Sequence, residues 1–263
     1  MGRNFVSING ITFNVFKEKS DTEDIWEDIA QGLWEPQTFH IISSLLDKYD
    51  CALELGIDSG QTTMFTASIV GKLIAVEPSL NSILLARKHL ELNEHLQDKT
   101  ILVHGALSSS RGKVLFGKGS TLFDDIHFGV NNPNIEVEGY LIEDFEKIAK
   151  RPITFVNMDI EGGEYICLTA MKNYLRKNKP ILLLSLHPGF LLTDKWRNRN
   201  HIIRYLKRFI EQKKIFDAIK DYPYIYDAIN LKKISAFSIF KLKYVRSKSA
   251  YNSQILCVKN RIK

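Results

Sequence analysis

The chain is poor in the features that would assign it quickly. It has three cysteines in 263 residues, Cys51, Cys167 and Cys257, with no CxxC pair among them. Such spacing supports neither a zinc module nor a disulfide framework, and fits reduced thiols in a cytoplasmic protein. No apolar run approaches the ~18 residues that a membrane-spanning helix needs. The start, Met1 to Phe16, lacks a basic stretch followed by an apolar one, so no secretory leader is expected. Repeats, low-complexity tracts and a Pro/Gly-rich linker are also missing. With 44% apolar and 11% aromatic residues, the chain has ample material for a core, which excludes global disorder.

Charge is only mildly one-sided, at a formal +6. The excess gathers late, in Lys232, Lys233, Lys241, Lys243, Arg246 and Lys248. A solvated surface explains this, and so does a patch facing an anionic glycan, nucleic acid or lipid headgroup.

Periodicity predicts an α/β protein. Phe5–Ile8 and Ile11–Val15 flank Asn9-Gly10, a strong two-residue hairpin signal. With the helical stretch that ends near Tyr49, this hairpin reads as a cap over residues 1–48, ahead of a main domain over 49–263. From Cys51 onward strand and helix patterns alternate. Strands are expected at 51–55, 73–77, 100–104, 153–158 and 181–186, with helices at 62–70, 80–93, 164–175 and 200–213. An added strand is expected at 113–116, a loop at 117–133 and a late strand at 253–259. The near-continuous apolar strands indicate a doubly wound, mostly parallel sheet covered on both faces.

Ligands in such sheets bind beyond the carboxyl ends of the strands. Glu54-Leu-Gly56-Ile-Asp58-Ser59-Gly60 leaves the first strand there and opens a helix. Glu77 ends the next strand, where its carboxylate can accept both ribose hydroxyls of an adenosine-containing ligand. A dinucleotide fingerprint would need glycine where Glu54 stands, which disfavours an NAD-linked oxidoreductase. An acid beside the loop repels pyrophosphate and suits a cation, so S-adenosylmethionine is the expected cofactor. Pro78, together with Ala106 and Leu107 after the third strand, could border the adenine.

The fourth strand delivers Asp159-Ile-Glu161-Gly162-Gly163-Glu164 to the same edge. Helix capping accounts for Glu164. Asp159 and Glu161 are expected to face something cationic, since two acids at one strand end otherwise repel. His187, closing the fifth strand, could accept a substrate proton as a neutral imidazole. A divalent metal shared by Asp159 and Glu161 is possible but not favoured.

Together these segments resemble the FkbM family of S-adenosylmethionine-dependent methyltransferases over roughly residues 34–190. The resemblance rests on Glu54 to Gly60, Val76-Glu77-Pro78, Gly105-Ala106-Leu107-Ser108, Asp159 to Glu164 and His187-Pro188, with Trp34-Glu35 ahead of them. The first loop departs from the family's Gly-Ala-Asn string, and residues from about Trp196 onward match nothing in it. The resemblance implies a seven-stranded class I (Rossmann-like) sheet with an antiparallel last strand, and O-methylation of a sugar or other small-molecule or glycan hydroxyl. A non-catalytic glycan- or nucleic-acid-binding protein on the same fold is the rival from another class. Asp159, Glu161 and His187 are the expected catalytic residues. Glu54, Gly56, Asp58, Ser59, Gly60, Glu77, Pro78, Ala106, Leu107 and Asp159 are the expected cofactor contacts.

Overall fold

The computed structural model describes residues 4–17, 25–116, 135–160, 162–188, 200–241 and 253–262. Glu161, the 117–133 loop, Lys243, Arg246 and Lys248 lie outside these residues. The chain divides into two compact units, Met1–His104 with Glu146–Phe155, and Gly105–Phe145 with Val156–Lys263.

The first unit opens with a hairpin of β1 (Asn4–Ile8) and β2 (Ile11–Val15). Asn9 and Gly10 both have positive φ, 49° and 80°, the requirement of a type I′ turn that matches strand twist. Helices α1 (Ile25–Ala30) and α2 (Pro36–Leu45) follow. Strands β3 (Cys51–Leu55), β4 (Lys72–Glu77) and β5 (Thr100–Leu107) then run parallel, β3 beside β4 and β4 beside β5. Every side chain of β3 is buried, as a strand covered on both faces demands. Helices α3 (Gln61–Ile69), α4 (Leu80–Glu91) and α5 (Glu94–Gln97) connect the strands.

The hairpin is tied to α4 by polar contacts. Asn93 Oδ1 accepts from Asn14 N at 2.8 Å, and His89 Nδ1 accepts from Phe16 N at 2.9 Å. His89 is buried edge-on against Trp26, with ring centroids 5.2 Å apart, and burial pushes its pKa down to about 4. The unfolded chain therefore binds the extra proton between about pH 4 and 6.5, so stability rises with pH through that window. The full contribution is present above about pH 6.5 and is lost as pH falls toward 4. A His89→Gln variant should flatten that part of the denaturation-versus-pH curve. The wild-type slope across it should amount to about 3 kcal/mol.

In the second unit β6 (Gly112–Phe116) pairs antiparallel with β7 (Ile135–Tyr140), and β7 runs parallel to Gly105–Leu107 of β5. Gly105 must be glycine there, because a Cβ would lie 2.6 Å from the Tyr140 ring and 2.7 Å from the Glu138 carbonyl. Helix α6 (Ile142–Ala149) leads to β8 (Phe155–Met158), α7 (Glu164–Ala170), α8 (Lys172–Asn178) and β9 (Ile181–Ser185). Helix α9 (His201–Ile219) runs six residues beyond the expected end. Strands β10 (Tyr224–Asp227), β11 (Lys233–Ile234) and β12 (Gln254–Val258) follow, with a 3-10 turn at Ala236–Phe240. The order is β11-β10-β12-β9-β8. Strand β12 pairs antiparallel with β9 and with β10, the antiparallel last strand that the resemblance implies.

Among the described residues ten strands stand in the α/β part, where the resemblance implies seven. Strand β6 is the added strand expected at 113–116, and β7 and β11 are further additions at the margins. The single helix expected at 164–175 is two, divided at Met171. All three cysteines are free and buried, and burial pushes the Cys51 thiol up to about 11. Among the described residues no helix is long and apolar enough to cross a membrane.

Candidate functional site

In the first unit the loop after β3 is held by an acid from β4. The loop begins at Gly56, whose N–H donates to the Val76 carbonyl at 3.0 Å. Gly56 and Gly60 have φ of 82° and 90°, which glycine adopts without strain, and Asp58 between them also has positive φ, 46°. Glu77 closes the loop from the side. Its Oε2 accepts from Ile57 N at 3.1 Å and its Oε1 from Ser79 N at 2.9 Å. Burial raises the Glu77 pKa, and backbone N–H groups from Ser79, Ile57 and Asp58 oppose that rise. With three backbone donors on about four lone-pair sites, the carboxylate keeps room for one further donor.

The other loop residues divide by exposure. Asp58 is exposed and Ser59 half-buried, and Asp58 Oδ2 accepts from Gln61 Nε2 at 3.0 Å. Glu54 is fully buried, with Oε1 accepting from Thr66 Oγ1 of α3 at 3.0 Å. This carboxylate braces the loop onto α3. His104, which sequence reasoning did not single out, pairs in register with Glu77, and its Nε2 lies 2.9 Å from the Pro78 carbonyl. Its signal was a histidine in the strand after Glu77, at the expected strand end.

The second unit holds Ala106, Leu107, Asp159 and His187. Ala106 and Leu107 are still strand, where a strand-to-loop transition was expected. Ala106 packs in a core cluster with Val137 and Val114, which leaves backbone as its means of meeting a ligand.

Asp159, His187 and Glu164 form a chain. Glu164, at the first position of α7, is fully buried. Its Oε2 accepts from Gly162 N at 2.7 Å, and its Oε1 from His187 N at 2.6 Å. Gly162 meets it with φ of 106°, a bend open to glycine. The same Oε1 lies 3.1 Å from His187 Nδ1, and on the other side of the ring Nε2 lies 3.3 Å from Asp159 Oδ1. Glu164 is therefore more than a helix cap: it sets both the backbone and the ring of His187. Side-chain exposure is 0% for Glu164, 7% for His187 and 29% for Asp159, so the chain opens outward at Asp159.

The donor count constrains the chain's protons. An ionised carboxylate only accepts, so Glu164 keeps hydrogen on Nδ1. In the neutral ring Nε2 then presents a lone pair to the Asp159 carboxylate. A proton placed between these two acceptors, 3.3 Å apart, would be shared by both. His187, expected as a neutral imidazole that accepts a substrate proton, stands between the Glu164 and Asp159 carboxylates.

Glu161 lies outside the described residues. Among the described residues no group of three or more His, Cys, Asp or Glu side chains is placed to hold a metal ion.

Several solved structures are similar to this chain over part of its length. A methyltransferase FkbM from Methylobacillus flagellatus KT aligns at 14% identity and TM-score 0.47, covering 88% of this chain and 52% of its own. An rRNA methylase from Streptococcus thermophilus aligns at 11% identity and TM-score 0.35, over 56% of this chain and 66% of its own. An O-methyltransferase from Bacillus cereus in complex with SAH aligns at 12% and 0.38, over 72% and 69%. This chain thus spans about half the length of the first. No curated protein matches the chain. The family model described as the methyltransferase FkbM domain matches residues 54–215. That span covers well over half of the sequence and both groups of residues above, and the chain belongs to the methyltransferase FkbM domain family.

Proposed function

We propose that the protein transfers a methyl group from S-adenosylmethionine to a hydroxyl of a sugar or another small-molecule or glycan acceptor. The observation that carries this reading is the Asp159–His187–Glu164 chain, a buried proton acceptor that opens to solvent at one carboxylate. Such a group suits an acceptor that must lose a proton as it reacts, which a hydroxyl does.

The first unit's residues fit the cofactor. The clamped Glu77 carboxylate keeps a lone pair for a ribose hydroxyl, and the left-handed Gly56 and Gly60 let the loop backbone approach a ligand. Asp58 and Ser59, at the loop's open side, would meet the methionine ammonium, and Pro78 would border the adenine. Glu54 would act through the loop it braces. When bound, the cofactor supplies an electrophilic methyl group on a sulfonium.

The second unit supplies proton handling. Asp159 receives the hydroxyl proton, which then lies between its carboxylate and His187 Nε2. Uptake relieves the opposition of two acceptors 3.3 Å apart. Glu164 holds the tautomer that keeps Nε2 open. General-base assistance of this kind is worth ~10²–10⁴ in rate.

The test is transfer of labelled methyl from S-adenosylmethionine to a panel of sugars and glycans, with the product bond identified. Wild-type protein should form a methyl ether. Asp159→Asn should lower kcat by ~10²–10⁴ while leaving the melting temperature unchanged. A product methylated on nitrogen, or an Asp159→Asn variant with full turnover, would overturn the assignment.

A further inference from the structure

Helix α9 turns its apolar face outward. In its first half Ile202, Leu206, Phe209 and Ile210 are 68%, 52%, 42% and 58% exposed. At 100° per residue these four fall within one third of the helix circumference. On the opposite side Arg204, Lys207 and Arg208 are half-buried, and Glu211 and Gln212 are buried. A helix on the surface of a globular domain normally does the reverse.

The apolar face continues past the helix. Phe209 and Phe216 pack on Phe240 of the 3-10 turn, at centroid distances of 4.6 and 5.9 Å. Phe216 also meets Phe237 at 4.7 Å, and Phe237 is 68% exposed. A cavity of about 470 Å³ beside them is lined by Phe216, Phe237, Lys220 and Lys233, among others. Lys213, Lys220, Lys232, Lys233 and Lys241 are exposed around this surface. The acids there are Asp217, which pairs with Lys213 and Lys220, and Asp221, which pairs with Arg176.

We infer that this face seats on an anionic lipid bilayer. Ile202, Leu206, Ile210 and Phe237 would enter the boundary between headgroups and acyl chains, and the lysines around the cavity would meet lipid phosphates. An apolar helix face rimmed by lysine is the composition of an interfacial helix. The charge selects this occupant over a second copy of the chain. Two copies joined through the face would bring the same lysine-rich rims together, whereas anionic headgroups neutralise them. The inference is independent of methyl transfer.

The experiment is co-sedimentation of the full chain with vesicles of phosphatidylcholine alone, and of phosphatidylcholine mixed with phosphatidylglycerol. The wild type should pellet with the mixed vesicles, release as salt is raised, and stay largely in solution with phosphatidylcholine alone. Replacing exposed residues in the pair Ile202→Ser and Ile210→Ser should weaken partition about tenfold or more. The pair Lys220→Glu and Lys233→Glu should do the same, with melting curves confirming that both variants fold. Wild-type protein that ignores both vesicles, or variants that bind as the wild type does, would overturn the inference. So would a dimer, seen by light scattering, that the serine pair dissolves, because a second copy would then cover the face.

Discussion

Titrated with S-adenosylhomocysteine, the wild-type protein should bind, and a Glu77→Ala variant should bind on the order of a hundredfold more weakly. The size follows from the bonds at stake. A hydrogen bond from a ribose hydroxyl to a carboxylate is worth ~1.5–3 kcal/mol, and ~2.7 kcal/mol is a hundredfold. The truncation also frees Ile57 N and Ser79 N, which the carboxylate now holds at 3.1 and 2.9 Å, so the loop loses its clamp. Glu77→Gln separates the two effects, since an amide oxygen can keep one backbone bond but supplies no charge. Because burial raises the Glu77 pKa, affinity should begin to fall on acidification at a higher pH than an ordinary carboxylate would produce. Calorimetry checks all three. A folded wild-type protein with no affinity for S-adenosylhomocysteine would sink the cofactor assignment. Unchanged affinity in Glu77→Ala would move the ribose contact elsewhere.

Glu164→Ala should cost stability more than any change at the loop. The carboxylate is fully buried and accepts from Gly162 N, His187 N and His187 Nδ1. Removing one member of a buried, hydrogen-bonded set is worth ~3–5 kcal/mol, because the remaining groups lose their partner without regaining water. In a chain of this size that lowers Tm on the order of 10 °C. Glu164→Gln should lose less, since an amide oxygen can still take the His187 N–H. It should nevertheless lower kcat more than it raises KM, because the ring tautomer is then no longer enforced. Thermal melts of both variants decide the first point and steady-state kinetics the second. A Glu164→Ala protein that melts within about 2 °C of the wild type would show that the buried network contributes little.

Much of the fold was legible in the residues. The Asn9-Gly10 turn, the buried runs at Cys51–Leu55 and Ile181–Ser185, and the final strand near Gln254–Val258 all stand close to where periodicity placed them. Each is a local signal, a turn chemistry or a run of apolar side chains that only a covered strand can bury. Strand β7 and the extension of β5 through Leu107 were not legible, because they exist through pairing with one another. Gly105 even reads locally as the end of a strand. What keeps it within one is the Tyr140 ring and the Glu138 carbonyl lying against the space where a Cβ would be.

The candidate site divides the same way. Sequence alone determined which residue types stand at the strand ends: the glycine loop, Glu77 after the second parallel strand, and the acids and histidine of the fourth and fifth. It did so because strand-to-helix order and short spacing dictate them. Only the tertiary structure decided what each acid does. Glu54 turns inward to Thr66, Glu77 clamps Ile57 and Ser79, and Glu164 reaches across 23 residues of sequence to both the backbone and the ring of His187. Asp159 is left as the half-buried, outer end of that chain. A carboxylate's role depends on which donors surround it and how far water is excluded, and chain segments distant in sequence supply both.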